Sequence, residues 1–257
     1  MNMAVTQVYF SPGGATLAVA EYFTASLTRE PVASLDLLRE DARSVPNFGP
    51  DDLLVVNMPV FAGRLPQVCP AMLAELKGVG APAVALVTYG NREYEDALLE
   101  LCDILNANGF KVMGAGAFIA RHSIFPQVAA GRPDAADKQK IAAFAAHCAA
   151  KLAAGGAALN LARIKGDRPY RDIPPIPLKP SGNEACNACG ICSQICPTQA
   201  IDPTAPRATD AERCISCTAC IYNCPQNARV FRGPGYGRSA ASFLADFSAR
   251  REPEVFG

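Results

Sequence analysis

The sequence predicts an α/β protein: a doubly wound, parallel five-stranded sheet of order 2-1-3-4-5, followed by a small α+β module rich in cysteine. Three observations carry this prediction. Residues 1–155 alternate short apolar runs with helix-period segments, the pattern of parallel strands joined by crossover helices. Prolines then crowd together at Pro174, Pro175, Pro177 and Pro180 and mark a boundary. Eight of the 11 cysteines fall in two identically spaced runs between Cys186 and Cys224.

The N-terminal run Met1 to Phe10 has no basic leader segment and reads as a strand from Ala4. Thr16 to Leu27 is a helix and Pro31 to Leu37 a second strand. Leu53–Met58 and Ala83–Thr88 are nearly continuous apolar runs, suited to strands covered on both faces. Phe110 to Phe118 is the fifth strand. Before it, Leu98, Leu101, Cys102 and Leu105 share one helix face; after it, Ile141, Phe144, Cys148 and Leu152 share another. Residues 156–180 read as a solvated, proline-rich linker, 181–232 as the cysteine module, and 233–257 as a tail. Phe243, Leu244 and Phe247 would form one face of a short amphipathic helix there.

In such sheets ligands sit beyond the carboxyl ends of the strands, so the loops there are candidate sites. The first is Ser11-Pro12-Gly13-Gly14-Ala15-Thr16, where small residues and a helix N-terminus could cradle a phosphate. A tight turn with a helix cap would use the same residues. The second is Pro59-Val60-Phe61-Ala62-Gly63, and the third runs from Tyr89, Gly90, Asn91 and Arg92 through Tyr94 to Asp96. Each carries an aromatic ring near a glycine, able to flank a flat ligand or to fill a core. Neither G-x-G-x-x-G nor a Walker loop is present.

The two cysteine runs are Cys186-x2-Cys189-x2-Cys192-x3-Cys196-Pro197 and Cys214-x2-Cys217-x2-Cys220-x3-Cys224-Pro225. Zinc ribbons use CxxC pairs rather than such triplets, and a disulfide framework belongs to oxidising compartments. The spacing resembles that of bacterial ferredoxins. The resemblance implies two [4Fe–4S] clusters, one on Cys186, Cys189, Cys192 and Cys224, the other on Cys214, Cys217, Cys220 and Cys196. Ile191, Ile195, Ile215 and Ile221 interleave with these ligands and would shield low-potential clusters.

Ser11, Gly14 and Thr16 match the S/T-x-T-G-x-T phosphate loop of flavodoxins, with Gly13 in place of the usual threonine. The segment from Gly90 to Glu95 resembles the flavodoxin loop that sets a tyrosine against the isoalloxazine ring. That likeness implies FMN as cofactor and Tyr94 as the stacking residue. The whole chain resembles the flavodoxin-fused bacterial ferredoxins of anaerobes.

A formal net charge of +0 speaks against nucleic acid and anionic membrane, and no apolar run reaches transmembrane length. The expected partners are redox proteins in the cytoplasm. Cys69, Cys102 and Cys148 read as small buried residues. His122 is a candidate flavin donor or proton shuttle, with a structural histidine as the plainer reading. Gln127 to Pro133 is long enough to cover a pocket. The expected function is electron transfer between FMN and the clusters. A flavin-dependent reductase of a small molecule and a flavin-free sensing or docking protein are the alternatives.

Overall fold

The computed structural model describes residues 3–44 and 47–257. Met1 and Asn2, at the head of the N-terminal run, lie outside these residues. In chain order come β1 (Ala4–Tyr9), α1 (Ala15–Leu27), β2 (Val32–Asp36), β3 (Asp52–Pro59), α2 (Cys69–Leu73) and β4 (Pro82–Tyr89). Then follow α3 (Ala97–Ala107), β5 (Lys111–Ile119) and α4 (Ala135–Ala153). The five strands pair in parallel in the order 2-1-3-4-5, a flavodoxin-like sheet. Alternation along β3 divides the core: Leu54, Val56 and Met58 pack on one face, Leu53 and Val55 on the other. The predicted α3 face packs against the first set, and Ile141, Phe144 and Cys148 of α4 against the second. A capping box starts α4, because Asp134 Oδ1 accepts from Asp137 N at 3.1 Å and Asp137 Oδ2 accepts from Asp134 N at 2.9 Å. Among the described residues no helix is long and apolar enough to cross a membrane.

The cysteine module comprises β6 (Ser181–Gly182), α5 (Ile191–Gln194), α6 (Ala219–Tyr222) and β7 (Arg229–Val230), with β6 and β7 antiparallel. The tail forms α7 (Pro234–Phe247) and β8 (Glu254–Phe256). β8 adds a sixth strand, antiparallel to β5, with Ala115 opposite Phe256 and Ala117 opposite Glu254. Three residues are too few for a periodic signal, so the sequence gives no hint of this strand. On α7, Phe243 and Phe247 face inward with ring centroids 4.5 Å apart, whereas Leu244 is exposed, unlike the predicted three-residue face.

The linker is largely exposed, yet it is pinned to the sheet unit rather than free. The Asp167 and Arg171 backbone N–H groups donate to Asp96 Oδ1 and Oδ2 at 2.9 and 2.7 Å. Arg168 forks onto Asp103, whose Oδ2 also accepts from the Tyr170 hydroxyl. Arg64 stacks over the Tyr170 ring, 4.7 Å from its centroid, while Arg171 pairs with Glu95. The basic residues of the linker thus clasp it to the loops around α3.

Candidate functional site

The sheet order reverses between β1 and β3, and the loops beyond the strand ends open on one cavity of about 330 Å³. The first loop contributes Pro12, Gly13, Ala15 and Thr16; the second contributes Pro59, Val60, Phe61 and Ala62. Thr88, Tyr89, Gly90 and Arg92 line it from the third, and residues 120–125 from the segment after β5. Glycine is required at position 90, where a Cβ would lie 2.4 Å from His122 Cδ2.

Six predicted residues stand off this cavity and hold its walls instead. Ser11 Oγ accepts from Leu17 N at 2.9 Å, and Gly14, with φ 82°, caps α1. Gly63 backs onto Glu95 and accepts from Asp96 N at 2.9 Å. Asp96 anchors the linker. Asn91 donates to the Phe247 and Ala249 carbonyls at 2.7 and 2.8 Å. Tyr94 is 0% exposed, packs on Tyr89, and donates to Glu254 Oε2 at 2.7 Å. Burial and the nearby Glu254 carboxylate push its phenol pKa well above the ordinary range. Tyr94 is therefore a core residue, away from the position a stacking ring needs. Nor does the loop from Gln127 to Pro133 line the cavity: Val128 is buried against Ile124 and Phe125.

The remaining walls come from segments remote in sequence. Arg171, Pro174 and Ile176 of the linker, Phe243 of α7, and Ser216, Cys217 and Tyr222 of the cysteine module all face the same space. Tyr222 donates to the Ser123 carbonyl at 3.3 Å, and the Arg121 guanidinium stands 5.5 Å over its ring. Cys217 belongs to the cysteine motif, but no local pattern brings the others to this site, because only the fold carries them to the loops.

His122 is held in one tautomer. Its Nδ1 accepts from Ile124 N and Phe125 N at 3.2 and 3.1 Å, which leaves Nε2 as the protonated nitrogen. The ring stacks on Phe125 and meets Phe243 edge-on. Burial, then the Arg92 charge, lowers its pKa to about 4. It is a neutral donor in the cavity wall and is not tuned to shuttle protons near pH 7.

The eight motif cysteines gather around two further hollows. Cys186, Cys189, Cys192 and Cys224 line one, with Pro206 and Arg229; Cys196, Cys214, Cys217 and Cys220 line the other. Left-handed residues recur at matching places in both runs, as at Ala188 and Ser216, and at Gln199 and Asn227. Backbone N–H groups point at sulfur: Ala200 N lies 3.2 Å from Cys196 Sγ, and Ala228 N 3.2 Å from Cys224 Sγ. Burial raises the Cys217 thiol to about 12 and Cys220 to about 11, so these sulfurs must shed protons to bind metal. Burial also acts on Cys224, but donors from Ala228, Gln226 and Arg229 outweigh it and lower its pKa. Ser193 Oγ and Arg229 Nε are buried without partners beside these sulfurs, donors that suit an anionic group. Among the described residues no three His, Cys, Asp or Glu side chains converge as on a single ion. Thiolates ringed about a hollow, with free donors, fit an iron–sulfur cluster.

A family model described as a 4Fe-4S binding domain matches residues 183–202. No curated protein matches the chain. Among solved structures, a flavodoxin from the domain Archaea is 16% identical with a TM-score of 0.43, covering 59% of this chain and 99% of its own. Flavodoxin 2 from Bacillus cereus is 15% identical with a TM-score of 0.44, covering 56% and 95%. An apo NADH:FMN oxidoreductase is 18% identical with a TM-score of 0.43, covering 57% and 88%. The chain joins a parallel sheet unit of order 2-1-3-4-5 to a cysteine module, part of which matches the 4Fe-4S binding model.

Proposed function

We propose that this protein is an electron-transfer iron–sulfur flavoprotein. It holds FMN in the cavity between its two units and a [4Fe–4S] cluster on each of the two cysteine sets. The observation that carries the reading is that Cys217 of the second set, with its neighbour Ser216, walls the same cavity as the three sheet-end loops. A flavin exchanges one or two electrons and a cubane one, so a protein holding both adjacently can convert between pairs and single electrons. The chain's own part is to position and shield. Phe61 and Tyr89 offer ring faces, α1 presents its N-terminal N–H groups, and Ile176, Tyr222 and Phe243 exclude water. One-electron redox proteins are then the fitting partners. All 11 cysteines are unpaired, as in a reducing cytoplasm.

A second cavity of about 210 Å³ favours a reductase as the alternative. It adjoins the first at Phe61, Pro174 and Ile176, and is lined by Gln67, Lys179, Glu212 and Cys214. The test is anaerobic purification followed by counts of flavin, iron and sulfide, then rapid mixing with a one-electron donor. About one FMN and roughly eight irons per chain, with flavin reduction following cluster reduction, support the carrier. Roughly eight irons and no flavin, even with excess FMN present, reject it. Turnover of a small acceptor that binds stoichiometrically to the reduced protein would favour the reductase.

A further inference from the structure

The two halves of the cysteine module share their cysteine spacing and the proline and alanine after the fourth cysteine, and the residue that comes next is buried in both. Cys196-Pro-x-x-Ala200-Ile201 corresponds to Cys224-Pro-x-x-Ala228-Arg229. The backbone repeats as well: Ala200 N and Ala228 N sit at the same 3.2 Å from the sulfurs of Cys196 and Cys224. Ile201 is 4% exposed and packs with Cys192 and Cys220, as an apolar residue at such a place should. At the matching place stands an arginine that is 1% exposed, the largest of the fully buried side chains.

A buried guanidinium needs both hydrogen-bond acceptors and a counter-charge. Arg229 has most of the first. Its Nη1 donates to the Pro206 and Ala208 carbonyls at 2.7 and 3.2 Å, and its Nη2 to the Pro180 carbonyl at 3.0 Å and to Thr209 Oγ1. It lacks the second, because all these acceptors are neutral and no carboxylate pairs with it among the described residues. Its Nε–H is left without a partner. The side chain lines the hollow of Cys186, Cys189, Cys192 and Cys224.

We infer that Arg229 is the buried counter-charge of the cluster site formed by Cys186, Cys189, Cys192 and Cys224, whose hollow it lines. This rests on the two-cluster reading. A fixed positive charge favours the more negative, reduced cluster, so Arg229 raises the potential of that cluster above the one an isoleucine would give. It is a tuning residue rather than a ligand.

The test uses anaerobically purified full-length protein as wild type, Arg229→Lys and Arg229→Met, with iron and sulfide counted before redox titration followed by EPR. Arg229→Met should shift one of the two cluster potentials to a more negative value at unchanged iron content, and Arg229→Lys should restore most of the shift. Unchanged potentials in loaded Arg229→Met overturn the inference and leave the cluster reading intact. Absence of iron in the wild type overturns the cluster reading itself. If Arg229→Met fails to load, wild type carrying arginine ¹⁵N-labelled in the guanidinium decides. Pulsed EPR of the reduced clusters should detect that nitrogen, and no coupling overturns the inference.

Discussion

The ring of Tyr222 lies flat enough against Gly13 that a Cβ on that glycine would come within 3.2 Å of its Cδ2 and Cε2 carbons. Here the last turn of α6 meets the loop after β1. Asn223 reinforces the contact: its side chain reaches the Pro12 carbonyl at 3.5 Å, and its Oδ1 accepts from Arg39 at 2.8 Å. Tyr222→Ala removes the ring and leaves the loop backbone alone. Because Tyr222 is partly exposed, global stability should fall by only about 1 kcal/mol. Flavin reduction through the clusters should slow at least several-fold, at unchanged iron and flavin content. Rapid-mixing traces indistinguishable from wild type would show that the contact does not set the flavin–cluster approach.

Tyr94 gives the sharpest contrast between sequence and structure. A stacking residue would lose flavin affinity on any ring deletion and keep the fold. As a core residue whose hydroxyl bonds Glu254, it should do the reverse. Tyr94→Phe should cost about 1 kcal/mol and leave the FMN dissociation constant unchanged. Tyr94→Ala should cost about 3–5 kcal/mol. Chemical denaturation and flavin fluorescence titration on the same samples measure both. A large affinity loss in the stable Tyr94→Phe protein would return the residue to the cavity.

The strands were legible because burial on both faces leaves an unbroken apolar run, as at Leu53–Met58. The cysteine spacing was legible because ligand geometry is local. Tyr94 was misplaced because an aromatic beside a glycine carries no direction: the turn sends Gly90 and Arg92 to the cavity and Tyr94 to the core. Arg171, Tyr222 and Phe243 had no signal for the cavity, since their neighbours in space are remote in the chain, 107 residues away for Arg171 and Arg64 and 99 for Tyr222 and Ser123. The basic linker was read as solvated because the carboxylates that hold it, Asp96 and Asp103, belong to another element.

Arg64 and Glu100 form the buried ion pair of that linker clasp. Arg64 Nε and Nη2 fork onto the Glu100 carboxylate at 2.8 and 2.9 Å, and Leu65 N adds a third bond at 3.0 Å. Glu100 is 5% exposed at its side chain, so losing the arginine strands a buried charge. Arg64→Met should destabilise by about 3–5 kcal/mol, and adding Glu100→Gln should recover a good part of it. Arg64 also donates to the Arg171 carbonyl at 2.5 Å, so the single variant should expose the linker to proteolysis. Equal stability of the single and double variants would contradict a stranded carboxylate.

His122 predicts a pH dependence with a definite sign. Its pKa is about 4 in the folded chain, against about 6.5 when unfolded. Between these values the unfolded chain binds a proton that the native one refuses, so stability is full above about 6.5 and falls as pH drops toward 4. With one edge facing the cavity, the loss should be on the order of 2 kcal/mol. His122→Gln, with no titrating group, should flatten this part of the stability curve. Imidazole ¹⁵N shifts should report the Nε2–H tautomer throughout pH 5.5–8, and titration near 6.5 would refute the assignment.

Asn91 holds the tail against the cavity wall. Its amide donates to two carbonyls at the end of α7, and its Oδ1 accepts from Arg251 N at 3.3 Å. It does so with φ 65°, a left-handed conformation that asparagine tolerates and alanine resists. Phe243, one turn before Phe247, closes the cavity, so a loosened tail should let the flavin leave faster. Two variants separate the causes. Asn91→Gly keeps the backbone conformation and loses the bonds; Asn91→Ala loses both. Both should speed FMN release, Asn91→Ala more, with iron content unchanged, because the cysteine hollows lie elsewhere. If only Asn91→Ala speeds release, backbone strain in the loop after β4 is responsible and the tail bonds are incidental. If neither does, Phe243 stays in place without them, held by β8 pairing and by ion pairs such as Arg250 with Asp134 and Arg251 with Glu93.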